Sequence, residues 1–205
     1  MIHVTTIVNN IYPSDLFLWQ CQMREEGYSP EEIGRIAAEM GTRLHKTAED
    51  VLAGKEETDG MLCYIKLKEW LGQYKITKIL ATEQKVFYYS EEGGYEGKLD
   101  TAMYLVLEDE EGSNWIIDIK SYGLYNYRNK TDFIPLTAQQ KAKTNLQTWL
   151  YSQATHDKIG RHLDYKAFRR GCLHINELGY ELYEFKRKPI KKIIERAQTL
   201  FTKTF

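Results

Sequence analysis

The order of elements written into these 205 residues predicts an α/β sandwich rather than a doubly wound parallel sheet. Three observations carry that expectation. Apolar residues at helical spacing dominate before residue 75. Three strand-like runs then follow one another between 76 and 120 with no helix among them. A helix, a further hairpin and a final helix complete the chain, which is read as a single domain over 1–205: a helical N-terminal part (1–75), a sheet core (76–187, with a helix at 136–156) and a C-terminal helix (188–205).

After a β-prone opening at 4–8, Pro13 with Ser14 or Asp15 signals a helix start and Gly27 a stop. The second helix, over 29–54, has Ser29 as N-cap, Pro30 at the first position and Glu31 and Glu32 in the first turn. Ile33, Ile36, Ala37 and Met40, then Leu44, Ala48, Val51 and Leu52, supply its apolar stripe. Residues 61–74 read as a third helix, with Leu62, Ile65, Leu67 and Trp70 partly in register. Alternation around Ile79, Thr82, Val86 and Tyr88 predicts a strand over 76–89. The runs 101–107 and 114–118, separated by the polar stretch 108–113, predict an antiparallel hairpin. A long polar segment precedes a helix over 137–155, whose stripe is Ala142, Leu146, Trp149, Leu150 and Ala154. Residues 164–176 and 180–187 read as a second hairpin, and a final amphipathic helix begins at Pro189.

The charged fraction of 28% and hydrophobic fraction of 42% are those of a soluble globular protein. A net charge of -1 argues against a globally basic nucleic-acid coat but permits a local basic groove beside an acidic centre. Cys21, Cys63 and Cys172 lie far apart with no CxxC, so neither a disulfide framework nor a zinc or iron-sulfur cluster is signalled. With no signal pattern and no apolar run approaching the ~18 residues of a membrane span, the expected setting is cytoplasmic, away from membranes.

The chemistry concentrates in Gly97 to Lys120. Residues two apart on a strand share a face, so Asp118 and Lys120 project together while Ile117 and Ile119 face the other way. A hairpin folding back on itself brings Asp100 near Asp118. Two carboxylates and a lysine at a sheet end make a hard-cation site with a cationic partner, which is equipment for phosphodiester chemistry. Glu83, in mid-strand, is either the solvated face of an edge strand or a third acid. His45 and Glu49, four apart on a helix, are either an exposed pair or lean over the sheet end. Tyr122, Tyr125 and Tyr127, interleaved with Arg128 and Lys130, suit a single-stranded nucleic-acid track or a loop packed on its own domain. Gln147 and Tyr151 share one helix face.

Taken in chain order, His45 in GTRLH, Glu83 in ATEQK, Asp100 in GKLD, Asp118 and Lys120 in IIDIK, then Gln147 and Tyr151 in QTWLY resemble the PD-(D/E)xK nuclease superfamily. Within it, the QxxxY helix is similar to the RecB-like exonuclease branch. The GTxxH entry resembles small phage exonucleases and the mitochondrial genome maintenance exonuclease. The correspondence spans roughly half the chain. The cysteine set of the iron-sulfur members is absent, and no helicase motif is attached.

The resemblance implies a restriction-endonuclease-like α/β/α sandwich, a central mixed sheet flanked by helices, with an added N-terminal helical segment. It implies that Asp100 and Asp118 bind a divalent metal with the Ile119 carbonyl, that His45 completes the shell, and that Glu83 holds a second metal or the attacking water. Lys120 would lie next to that water, and Gln147 and Tyr151 would hold the phosphate or orient Lys120. Oxygen ligands suit magnesium or manganese, and the imidazole tilts the preference toward manganese. The implied activity is a metal-dependent DNA exonuclease acting on ends in recombination, repair or replication, in the cytoplasm or in a host's cytoplasm if virus-encoded. A structure-specific endonuclease on the same fold and a catalytically inert nucleic-acid-binding module are the alternatives. A zinc hydrolase built on His45 and Glu49 lacks a second histidine at ligand spacing.

Overall fold

Three long strands, adjacent in sequence and in space, form the frame on which everything else is mounted. The computed structural model describes residues 1–13, 16–55, 62–107, 110–121, 133–176 and 178–202. The frame consists of β2 (Lys75–Ser90), β3 (Gly93–Leu107) and β4 (Glu110–Lys120), paired antiparallel in turn. They belong to a mixed sheet that also holds β1 (Ile2–His3), β5 (His156–Asp157), β6 (Arg169–Ile175) and β7 (Tyr180–Glu184), in the order β5-β2-β3-β4-β6-β7 with β1 joined to β3. β6 runs parallel to β4, and β1 parallel to β3.

Helices cover the sheet on both sides. α1 (Val4–Ile11), α5 (Ala138–Gln153) and α6 (Lys191–Thr202) pack with Val86, Tyr95, Ala102 and Ile116 into one core. α3 (Pro30–Leu52) and α4 (Leu62–Gln73) pack through Leu44, Ala48, Leu67 and Trp70 against Met103, Trp115, Ile117 and Leu173 to form the other. α2 (Leu16–Glu25) packs beside α3. The expected α/β layering, with a mixed sheet flanked by helices, is therefore observed. No helix among the described residues is long and apolar enough to cross a membrane.

Local chemistry explains most element boundaries. Ser29 caps α3 through its side chain, which accepts from the Glu32 N–H. Thr137 and Gln140 form a reciprocal capping box at the start of α5. Two expectations need correction. Residues 4–8, expected as β-prone, begin α1, because Val4, Ile7, Val8 and Ile11 recur at helical spacing and are all buried, and that burial outweighs local strand preference. The polar stretch 108–113 is not all loop. Leu107 pairs with Glu110 and Leu105 with Ser113, since backbone pairing at a sheet end tolerates polar side chains, with an irregularity in the register between.

Candidate functional site

Three acidic residues stand in one row across the frame. The β2–β3 register pairs Thr82 with Thr101 and Gln84 with Leu99, so Glu83 faces Asp100. The β3–β4 register ends at Thr101 paired with Ile117, and one step further Asp100 meets Asp118. Antiparallel neighbours present opposed side chains together. The row therefore follows from the pairing registers of three strands that succeed one another along the chain.

Glu83 departs from ordinary strand backbone. Its φ of 48° is the one left-handed value at a non-glycine among the described residues. That conformation is costly for a residue with a Cβ and recurs where a side chain is held for a purpose. Here Glu83 Oε1 lies 3.1 Å from His45 Nδ1, and Glu83 Oε2 forms an ion pair with Lys98. His45 Nδ1 also lies 3.5 Å from Asp100 Oδ1. His45, Glu83 and Asp100 thus bring one donor atom each within 4.8 Å of one another. The α3 helix delivers the imidazole because Leu44 and Ala48, flanking it on the buried stripe, lock the helix against the sheet.

Asp118 lies beneath this trio rather than beside the solvent. It is fully buried; its Oδ1 accepts from Lys120 Nζ at 2.9 Å and from Gln147 Nε2 at 3.0 Å. Its Oδ2 is buried without a hydrogen-bond partner, a costly state for a carboxylate oxygen in the absence of a cation or water. Asp100 Oδ2 accepts the Ile119 N–H at 2.7 Å, which ties β3 to β4 at the point where the ladder ends. Gln147 Nε2 also donates to Tyr151 Oη at 2.9 Å, so both of its N–H groups are used inside the protein.

Gly97, the first residue of GKLD, has a packing role. A Cβ there would fall 2.6 Å from Tyr151 Cε1 and 2.9 Å from Val4 Cγ2. Only a glycine lets α5 and α1 approach the strand so closely.

These groups line an open cleft of about 450 Å³ that includes His45, Glu49, Glu83, Lys98, Asp100 and Lys120. Gln147 and Tyr151 form its wall on the α5 side. Crowding of negative groups shifts the equilibria within it. Burial first, and the charge of Asp118 second, push the Asp100 carboxyl up to about 7. Burial opposes a charged His45, yet its hydrogen bond to Glu83 and the charge of Asp100 raise its pKa above the ordinary value. Burial likewise disfavours ionised Glu83, but hydrogen bonds with His45 and Lys98 hold it below the usual carboxylate range. Lys98 and Lys120 lean onto the carboxylates of the row, as does His45.

Of the residues singled out from sequence, His45, Glu83, Asp100, Asp118, Lys120, Gln147 and Tyr151 are brought together, not at the sheet end as expected but at the middle of β2 and β3, beside the end of β4. Glu49 shares the cleft but makes its ion pair with Lys46, at 3.4 Å. Ile119 is buried and contributes its N–H to Asp100. Tyr122, Tyr125, Tyr127 and Arg128 lie outside the described residues. Lys98 was not foreseen, although strand periodicity puts it on the same face as Asp100, two residues on. The left-handed backbone at Glu83 has no signal in sequence, because Glu is not a residue that favours it.

No family model matches the chain, and no curated protein matches it. Among solved structures, one titled "Crystal structure of SSO0001" is similar over 97% of this chain and 75% of that chain, with 17% sequence identity and a TM-score of 0.46.

Proposed function

We propose that the chain is a divalent-metal-dependent deoxyribonuclease of the PD-(D/E)xK kind, an exonuclease that hydrolyses phosphodiester bonds from DNA ends in recombination, repair or replication. The observation that carries this reading is the convergence of His45, Glu83 and Asp100 donor atoms within 4.8 Å, in a cleft that also holds Lys120. The donor set fits a metal of the magnesium or manganese type: carboxylate oxygens with one imidazole, and an unpartnered buried oxygen on Asp118 just below.

His45, Glu83 and Asp100 would hold the ion, with Asp118 and the Ile119 carbonyl as the deeper ligands. Such an ion supplies a water of lowered pKa and charge for the phosphate oxygens. The chain's own residues do the rest. Lys120, anchored on Asp118 and partly exposed to the cleft, presents its ammonium where the attacking water and the scissile phosphate meet, and there balances the charge that develops on phosphorus-bound oxygen. Gln147 fixes Asp118, and through Asp118 the direction of Lys120. Tyr151 accepts from Gln147, which leaves its own hydroxyl proton for a phosphate oxygen.

Lys120→Ala tests this assignment. The variant is expected to lose at least about 100-fold in cutting rate, the order typical of a removed transition-state donor, while melting temperature and DNA affinity stay near wild type. A wild-type rate would remove Lys120 from the chemistry.

A further inference from the structure

A second cleft, of about 320 Å³, lies on the far side of α5 from the first and is built from different chemistry. Its charged lining is Lys166, Arg169, Arg170, Lys186 and Lys188, against Glu184 alone. Glu184 is already occupied, since its Oε1 accepts from Arg169 Nε at 2.9 Å. Lys166, Lys186 and Lys188 are exposed and enter no ion pair with a described residue. In a chain whose net charge is -1, this concentration of cations is a local feature and not a reflection of overall composition.

Arg170 makes the floor of the cleft. It is 7% exposed, and its hydrogen bonds go to Asn145 O, Asn145 Oδ1, Phe185 O and Arg187 O, with no carboxylate among them. A buried guanidinium held by neutral oxygens keeps its positive charge uncompensated, which is an expensive arrangement in a protein interior. An anion in the cleft would offset it. The carbonyls of Phe185 and Arg187 also hold the chain between β7 and α6 in place, so Lys186 and Lys188 are carried on a fixed support.

Aromatic faces accompany the cations. Trp149 and Phe168, both half-buried, line the same cleft. Cations that follow phosphates combined with rings on which bases stack are the two parts of a single-strand track. Phosphate alone would need no ring, and the three exposed lysines beside Arg170 give a phosphodiester backbone a run of cations to follow.

We propose that this cleft is a second polynucleotide-binding site, which grips the backbone of single-stranded DNA with Lys166, Lys186 and Lys188 over the Arg170 floor and stacks a base on Trp149. It rests on the nuclease reading for its biological sense, since α5, about 10 Å across, separates it from the Asp100 cleft by the span of a few nucleotides. Gln147 and Tyr151 face one cleft and Trp149 and Gln153 the other, so α5 is their common wall.

The test is fluorescence anisotropy with a labelled single-stranded oligothymidylate of about 20 nucleotides, longer than one such site occupies, in excess chelator so that no cutting occurs. Replacing Lys166, Lys186 and Lys188 together by Glu is expected to weaken binding at least tenfold. It should also flatten the slope of log affinity against log salt by about 2, as three lost single-strand phosphate contacts require. Replacing the same three by Arg keeps the charge and is expected to keep both quantities. Equal affinity and slope in the Glu variant, with an unchanged melting curve, would overturn the proposal, as would a wild-type chain that fails to bind. Cleavage by the wild-type chain in manganese is measured in parallel. Absence of cutting with salt-sensitive binding through the three lysines would refute the nuclease reading and leave the second cleft standing, and cutting with no effect of the Glu variant on binding would do the reverse.

Discussion

Replacing Asp100 by Asn addresses the electrostatic strain at the centre of the site. Asp100 is buried, and its carboxyl is pushed from 3.8 to about 7, first by burial and then by Asp118, against the pull of Lys120, His45 and the Ile119 N–H. Between those values the folded chain keeps a proton that the unfolded chain releases, so the stability of the metal-free protein falls as pH rises through the window. At about 1.36 kcal/mol per pH unit the full cost is up to about 4 kcal/mol once Asp100 is ionised. His45 acts in the same direction: its raised value gives stability that is present below 6.5 and is lost as pH climbs through the folded value.

Asn retains an oxygen for the Ile119 N–H and carries no charge. In chelator near pH 8, Asp100→Asn is therefore expected to gain about 2 to 4 kcal/mol over wild type, trimmed by the weaker hold on His45, and near pH 4 to gain little. Urea unfolding followed by circular dichroism across that range reads both numbers. Adding manganese should reverse the order, because only the wild type keeps its full ligand set and is stabilised by mass action. Parallel pH profiles for the two proteins in chelator, or equal stabilisation by manganese, would refute the reasoning.

Two further substitutions test the supports of the site. Gly97→Ala is expected to destabilise by about 1 to 3 kcal/mol, the usual cost of overpacking, because its Cβ meets the Tyr151 ring and Val4; Tyr151→Leu should recover part of the loss in urea unfolding, and a neutral Gly97→Ala would show that α5 does not need the close approach. Glu83→Asn keeps a residue that tolerates left-handed backbone but removes the carboxylate. Manganese affinity by calorimetric titration should fall at least about tenfold, the scale on which a metal site responds to loss of a neighbouring group, with little change in melting temperature. Unchanged affinity would exclude Glu83 as a ligand.

Much of the frame could be read in advance because its signals are local. Alternation at 76–89, the capping residue Ser29 and the stripe of α3 each depend on neighbours within a few positions, and β2 and α3 are present within two residues of expectation, whereas β3 begins at Gly93, well before the apolar run at 101–107. Asp118 and Lys120 sharing a face is likewise a consequence of strand period, and their 2.9 Å contact bears it out. What escaped depends on partners distant in the chain. The burial of Asp118 arises from α5, through Gln147, and the role of Gly97 from Tyr151 and Val4. The opening helix escaped because Val, Thr and Ile favour strands locally, while the surface that buries Val4 and Ile7 is assembled from β3, α5 and α6. Lys98 and the uncompensated Arg170 became evident only when their surroundings were known.

The measurement that bears most directly on the central claim is digestion of end-labelled single-stranded, duplex and circular DNA by the wild-type chain, with manganese or magnesium and again with excess chelator. Release of short products from linear DNA in metal, none from circles, and no cutting in chelator is the predicted result. Undiminished cleavage in chelator, or no cleavage of any substrate with either metal, would contradict it.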